Sequence, residues 1–513
     1  MKVESKDMND TPAVNLNDIK LDTHSRLRGK EIPSLEEGRK AFAAVAFEGI
    51  PKVTKVHMAW LVMMIRQGII ERTDGKNILR VLRNIDHAAI EDMIASYDPN
   101  FYKWRVQFER WLMDKAGAVA SCVNIARTLP PPVYRMRLRE SILPLLDATL
   151  TFCASLLEKA QAHRDAVMPG YTHNQHAQPM TFGHYLLGLY EPIHRACGQL
   201  EEAYDLTNLC DLGCGALAGT SFPIDRELPA RLLGFRGVLE HTNDCVAASD
   251  QATNVVAAMV NMAIPMSRAA NEMHTWHMFE FNMIELADAI CEASSMMPQK
   301  KSPCLFEDIR ATLAKVLGCY TNIVCRLQNI MYGDTIEVYE TTEMVPAIVD
   351  QVVTSVNKFN KILHNMTVKR AVMLDFAQRG FSTTTELAAI LFREADIPLR
   401  VAHAIVAEVV REVWLGGKAA SDITPAGIDR AASDIIGRPL NLSPEKLAAA
   451  LDAVKFVEAH QSQGAVAPKE VARMVRARKK DLAQALRRQA ARLRNLEEAD
   501  EELLRTVDAI LSE

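Results

Sequence analysis

The chain has 513 residues, of which 49% are hydrophobic and only 6% aromatic, enough for several cores built on Leu, Ala, Met and Val. A formal net charge of −5 gives no global attraction to nucleic acid or to an anionic membrane. The 10 cysteines are scattered, with no two pairs at zinc-ligand spacing, so reduced, buried thiols in a cytoplasmic protein are expected.

Residues 1–35 carry Asp, Asn, Lys and Pro without periodicity and predict a lead-in arm. They hold no apolar core of a signal peptide, and no apolar run in the chain approaches bilayer-spanning length. From Ser34 the pattern is helical, with Met58, Leu61, Val62, Ile65 and Ile69 on one face. Thr73-Asp74-Gly75 predicts a turn, and residues 101–120 another amphipathic helix. Three consecutive prolines at 130–132 end any helix and place Arg127 and Thr128 in a loop.

Residues 135–168 predict a long helix that stops at Met168-Pro169-Gly170. The polar run Tyr171-Thr172-His173-Asn174-Gln175-His176-Ala177-Gln178-Pro179 follows, then a helix through Tyr185, Tyr190 and Leu200. The glycines between Gly213 and Gly219 lack the Lys-Ser/Thr of a phosphate loop. Two very long helical tracts are predicted over about 247–293 and 306–331. His274 and His277 stand three apart without a third metal ligand and are read as packing or surface residues.

Between those tracts lies Ala-Ser-Ser-Met-Met-Pro-Gln-Lys-Lys-Ser-Pro-Cys-Leu-Phe-Glu, residues 293–307. Pro298 and Pro303 exclude helix there, so a loop with two serines and two lysines interrupts an apolar scaffold. Beyond it, Ser382-Thr383-Thr384 predicts an N-cap into shorter Ala-rich helices, and residues 471–511 a long charged helix. No segment of useful length alternates as a strand does, so the chain is expected to be all-α. Its divisions are placed at 1–125 (N-terminal helical), 126–380 (a central long-helix bundle carrying both polar loops) and 381–513 (C-terminal helical).

Breaking a C–N bond beside a carboxylate requires a base for the adjacent C–H, donors or cations for the doubly charged carboxylate that forms, and a proton for the amine. The two loops offer Ser294 or Ser295, Lys300 or Lys301, Thr172 and His173. A serine can act as base only where positive charge and donors stabilise its alkoxide.

The 293–307 loop resembles the fumarase/aspartase superfamily signature Gly-Ser-Ser-x-Met-Pro-x-Lys-x-Asn-Pro. Ser294, Ser295, Met297, Pro298, Lys300 and Pro303 match, while Ala293 and Ser302 depart from it. The run from Tyr171 to Pro179 resembles the Tyr-Thr-His-x-Gln-x-Ala-Gln-Pro of the argininosuccinate lyase branch. A lone histidine is more often a surface group; the flanking match is what singles out His173, and it leaves His176 as an ordinary surface histidine.

The resemblance implies a three-domain fold whose long helices assemble a twenty-helix core in a homotetramer, with active sites shared between subunits. It implies Ser294 as base, and Lys300 and Thr172 on the fumarate-forming half. It places His173 near the leaving group, oriented by Glu307, and Ser295 and Ser302 in the substrate loop. It implies an N-succinyl amine substrate, fumarate as product, no cofactor, no metal, no nucleic acid and no membrane. Arg127 and Thr128 are all that remains of a substrate-contacting Arg-Ser-Arg-Asn-Asp loop. After Tyr332 the family holds the arginine-derived end with a Gln and a Lys; Glu337 and Glu340 stand there instead. An amine product other than arginine is therefore expected. The competing expectations are another lyase or cycloisomerase of the superfamily, and a catalytically silent crystallin-like relative.

Overall fold

The computed structural model describes residues 32–127 and 132–513, Tyr102 excepted; the lead-in arm up to residue 31 and the loop position Thr128 lie outside the described residues. Among the described residues the chain is all-α apart from three small two-stranded ribbons.

Helix α1 (Leu35–Arg66) opens on a capping box in which the Ser34 hydroxyl accepts from the Glu37 amide and the Glu37 carboxylate accepts from the Ser34 amide. The turn expected at Thr73-Asp74-Gly75 is instead the first turn of α2 (Arg72–Arg83). Gly75 is there for closeness: a Cβ would stand 2.5 Å from the Ile65 side chain. After α3 (His87–Ala95), the helix expected over 101–120 is α4 (Trp104–Ala116), stopped by Gly117 at φ 91° and followed by a 3-10 segment, Ala118–Asn124.

The bundle is built from α5 (Val133–Ala162), α6 (Phe182–Thr207), α9 (Asp250–His277), α10 (Cys304–Leu327) and α11 (Ile336–His364), with short α7 (Glu227–Leu232) and α8 (Asp244–Ala247) between. Its core is Leu-, Ala- and Met-rich, with Met259, Met262, Met266 and Met273 of α9 buried among Leu146, Leu157, Leu186, Val349 and Phe359. Burying each such side chain contributes roughly 1.5–3 kcal/mol. Contrary to the expectation from hydropathy, α5 is long and apolar enough to cross a membrane, but most of it is buried inside the bundle, where it packs on α6, α11 and the last helix. Four of the five bundle helices contain a proline (Pro144, Pro192, Pro265, Pro346), each removing one helical hydrogen bond.

Two expected helices end early. The helix predicted to reach residue 168 stops at Ala162, and residues 167–172 form strand β1 (Val167–Thr172), paired with β2 (Gln175–Thr181). The tract predicted to reach residue 293 stops at His277. The chain then reverses through Asn282, at φ 50°, into β3 (Ile284–Leu286), which pairs with β6 (Met366–Val368). Ile284 and Leu286 are buried and Glu285 exposed, an alternation too short to distinguish from helical spacing in the sequence.

Beyond α12 (Arg370–Arg379) come α13 (Thr384–Ala395), α14 (Leu399–Leu415), α15 (Pro425–Ile436), α16 (Pro444–Leu451) and α17 (Ala453–Ala459). Leu387, Leu391, Ile405, Ile428 and Leu447 form a separate core among them. The final helix α18 (Pro468–Ser512) leaves that core: Val471, Val475 and Leu482 join the bundle, and Leu503, Val507 and Ile510 join the core of α1–α4.

Candidate active site

The run containing Thr172 and His173 is the tip of the β1–β2 hairpin. Thr172 pairs with Gln175, leaving His173 and Asn174 as a two-residue turn with φ of 54° and 56°. Two successive positive φ values give the turn whose twist matches antiparallel strands, and Asn is among the residues that tolerate them. Thr172, His173 and Asn174 are exposed at this tip. The base of the hairpin is fixed. The rings of His176 and Tyr171 meet edge to face at 5.2 Å. A Cβ at Gly380 would stand 2.6 Å from His176 Nδ1, and Gln178 donates to Thr385 Oγ1 at 3.2 Å. His176 is thus a packing residue, and burial holds its imidazole below the usual range.

The serine loop is closed by a second ribbon, β4 (Glu292–Ala293) and β5 (Lys301–Ser302), in which Glu292 faces Ser302 and Ala293 faces Lys301. Residues 294–300 span the gap. Ser294 Oγ accepts two backbone N–H groups, from Met297 at 3.0 Å and Met296 at 3.3 Å. Donors aimed at a hydroxyl oxygen favour its ionised form. Ser295 is exposed and Ser302 half-buried.

The two lysines divide their work. Lys301 Nζ is 2.7 Å from Asp288 and 3.5 Å from Glu285, which also meets Lys369 at 2.8 Å. The Asp288 hydrogen bond holds the Lys301 ammonium above its usual range. Lys301 therefore fastens the foot of the loop, while Lys300 is exposed on it.

Glu307 sits in the first turn of α10, where a helix N-terminus favours a carboxylate. Within the subunit its Oε1 lies 3.9 Å from His274 Nε2, and no ion pair joins it to His173. His274 stacks on Phe306 with ring centroids 5.6 Å apart, as a packing residue should, but its meeting with Glu307 has no sequence signal.

Arg127 is turned inward. Its guanidinium donates to Val123 O at 2.7 Å and contacts His57 Nδ1 at 2.8 Å, and burial pulls it down to about 9. Burial, with Arg127 and Arg105 nearby, holds His57 well below the usual imidazole range. Tyr332 is 72% exposed, its hydroxyl 3.5 Å from Asp244 Oδ1. Glu337 is half-buried in the first turn of α11. Glu340 is paired with Arg326 at 2.9 Å, so one of the two acidic charges expected near the distal end of a substrate is already compensated. That partner lies on the neighbouring helix, out of reach of any local pattern. No hydrogen bond or ion pair within the subunit joins the hairpin tip, the serine loop and the Tyr332 segment to one another.

A family model described as Lyase matches residues 116–318, a span holding the hairpin, the serine loop and Glu307, and one described as Argininosuccinate lyase C-terminal matches residues 381–458. The argininosuccinate lyase of Methanothermobacter thermautotrophicus is 32% identical over 418 residues, covering 81% of this chain and 89% of that one. The argininosuccinate lyase of Methanocaldococcus jannaschii is 33% identical over 427 residues, covering 82% and 86%. Among solved structures, EDDS lyase in complex with formate superposes with a TM-score of 0.84 at 28% identity, over 94% of this chain and 97% of that one. A class II fumarase from Schistosoma mansoni shares the fold, with a TM-score of 0.64 at 13% identity, over 83% of this chain and 95% of that one.

Proposed function

The chain belongs to the argininosuccinate lyase family of carbon–nitrogen lyases, and from that premise we propose how its own residues divide the reaction. The substrate is an N-succinyl amine. Ser294, as alkoxide, takes the proton from the carbon next to one carboxylate. The electron pair is held as a doubly charged carboxylate by Lys300 and Thr172, then forms the C=C bond of fumarate as the C–N bond breaks. The amine leaves with a proton supplied on the side of His173, whose ring Glu307 orients. Ser295 and Ser302 hold the succinyl half, and Tyr332 and Glu337 face the amine half. The observation that carries this reading is the pair of backbone N–H groups on Ser294 Oγ.

Glu307→Gln tests the acid side. It is expected to lower kcat by about tenfold or more and to shift the pH dependence of the rate, because a His173 imidazolium would lose its carboxylate. A profile superimposable on the wild type removes Glu307 from the mechanism.

The assembly is proposed to be a cytoplasmic homotetramer with shared sites. Support comes from apolar residues left exposed on bundle helices, Ile264 of α9 at 54% and Leu317 of α10 at 58%, and from the exposure of the His173 hairpin tip. Division of the chain near residues 125 and 380 is likewise proposed, on the strength of the three separate hydrophobic cores, with α18 shared between the first two.

The distal half of the substrate is the finer proposal. The relatives are named argininosuccinate lyases, so argininosuccinate is the reference compound. With Glu340 paired, Glu337 carries the argument: a half-buried carboxylate repels a distal carboxylate and attracts an ammonium, by about 1–3 kcal/mol. An N-succinyl diamine is expected to show a kcat/KM roughly tenfold or more above that of argininosuccinate. Fumarate absorbance measures both, and the reverse preference overturns the substrate assignment alone.

A further inference from the structure

The mechanism leaves unexplained what holds the Glu307 carboxylate before a second subunit brings its hairpin. Glu307 is largely exposed, on the first turn of a helix, and an unrestrained carboxylate there samples several rotamers. Across the α9–α10 contact it meets His274, with Nε2 3.9 Å from Oε1.

Around His274 the groups form a chain. Asn271 Oδ1 accepts from Arg310 NH1 at 2.5 Å, and Arg310 NH2 meets His274 Nδ1 at 3.4 Å. Arg310 can only donate, so Nδ1 is the acceptor. Burial, reinforced by the Arg310 charge, holds the His274 imidazole below its usual range, and the neutral ring then carries its hydrogen on Nε2. That nitrogen lies 3.9 Å from Glu307 Oε1, a charge–dipole contact rather than a hydrogen bond. The ring itself is fixed by stacking at 25° on Phe306, the residue before Glu307. One ring nitrogen, the ring plane and the tautomer are thus all specified, and the one group left for the other nitrogen is the proposed orienting carboxylate.

We propose that His274 is a positioning residue for the lyase reaction: with Arg310 fixing its tautomer, it directs Nε2–H at Glu307 and holds that carboxylate in the rotamer that receives His173 of another subunit. The proposal rests on the assignment of Glu307 made above. It adds a contact on α9, outside both catalytic loops, and gives one of the two α9 histidines a function that packing alone does not require.

The test is a double-mutant cycle on the full-length enzyme, followed by fumarate absorbance. His274→Phe keeps the stack and removes both nitrogens; kcat is expected to fall about tenfold with KM within about twofold. Adding His274→Phe to Glu307→Gln is expected to cost less than about twofold more, because the two act through one carboxylate. His274→Gln, which retains an N–H donor, is expected to recover much of the rate. Arg310→Gln leaves the stack untouched and is expected to lower kcat with the same dependence on Glu307, which keeps the test intact if His274→Phe folds poorly. Wild-type kcat in His274→Phe beside an impaired Glu307→Gln overturns the inference and spares the assignment of Glu307. Full additivity in the cycle does the same. A fully active Glu307→Gln overturns both, so the two failures are told apart by that variant alone.

Discussion

Ser294→Ala is expected to lower kcat by about a hundred- to ten-thousandfold, the range a positioned general base supplies, with the fold unchanged. The change removes one oxygen from a loop whose foot is held elsewhere, by the Glu292–Ser302 pairing and by Lys301 on Asp288 and Glu285. What the substitution does release is the turn itself, since Oγ is the acceptor for the Met296 and Met297 amides. Ser294→Asn, whose side-chain oxygen can accept from the same amides but cannot act as an alkoxide base, therefore separates loss of the turn from loss of the base. Single-turnover fumarate release with circular dichroism and thermal melting is the measurement. Retained turnover in Ser294→Ala moves the base to Ser295 or to another group.

Mixing two inactive enzymes is expected to restore activity. Ser294→Ala and His173→Asn each lack one side of the reaction, and neither should turn over alone. If each site draws its hairpin and its serine loop from different subunits, random mixing yields about a quarter of sites with both loops unmutated. His173→Asn is the suitable partner because the turn has φ 54° at that residue, and Asn accepts a left-handed conformation that β-branched residues do not. Subunit exchange is verified by native mass spectrometry, and activity is read before and after it. No gain after complete exchange contradicts shared sites.

The all-α class and the two polar loops were legible in the sequence, for a physical reason. The loops are contiguous: Ser294 through Pro303 and Tyr171 through Pro179 each gather their candidate groups within one stretch, punctuated by prolines that exclude helix. The ribbon that presents the serine loop was missed because its strands, Glu292–Ala293 and Lys301–Ser302, have no room for a period of two, and the hairpin was missed because β1 is buried from Val167 to Gly170 without alternation. Gly75 and the turn expected there show the converse. A glycine next to Asp reads as a reversal, yet here it buys contact with Ile65 inside a helix. Partners brought together from separate helices were invisible altogether. Arg326 on Glu340 and His274 beside Glu307 depend on how α9, α10 and α11 pack, which no window of sequence contains.

The last helix has a consequence for biosynthesis. Leu503, Val507 and Ile510 complete the core that begins at Phe42, so α1–α4 cannot finish packing until α18 has been synthesised. Until then α1–α4 wait with an open apolar seam where α18 will lie. Lys55 and Arg83 face Asp500 and Asp508 across that seam, pairings that close only once α18 is in place. A nascent chain of this kind exposes its seam through most of its synthesis, and a truncation within α18 is expected to destabilise α1–α4 as well as the helix itself.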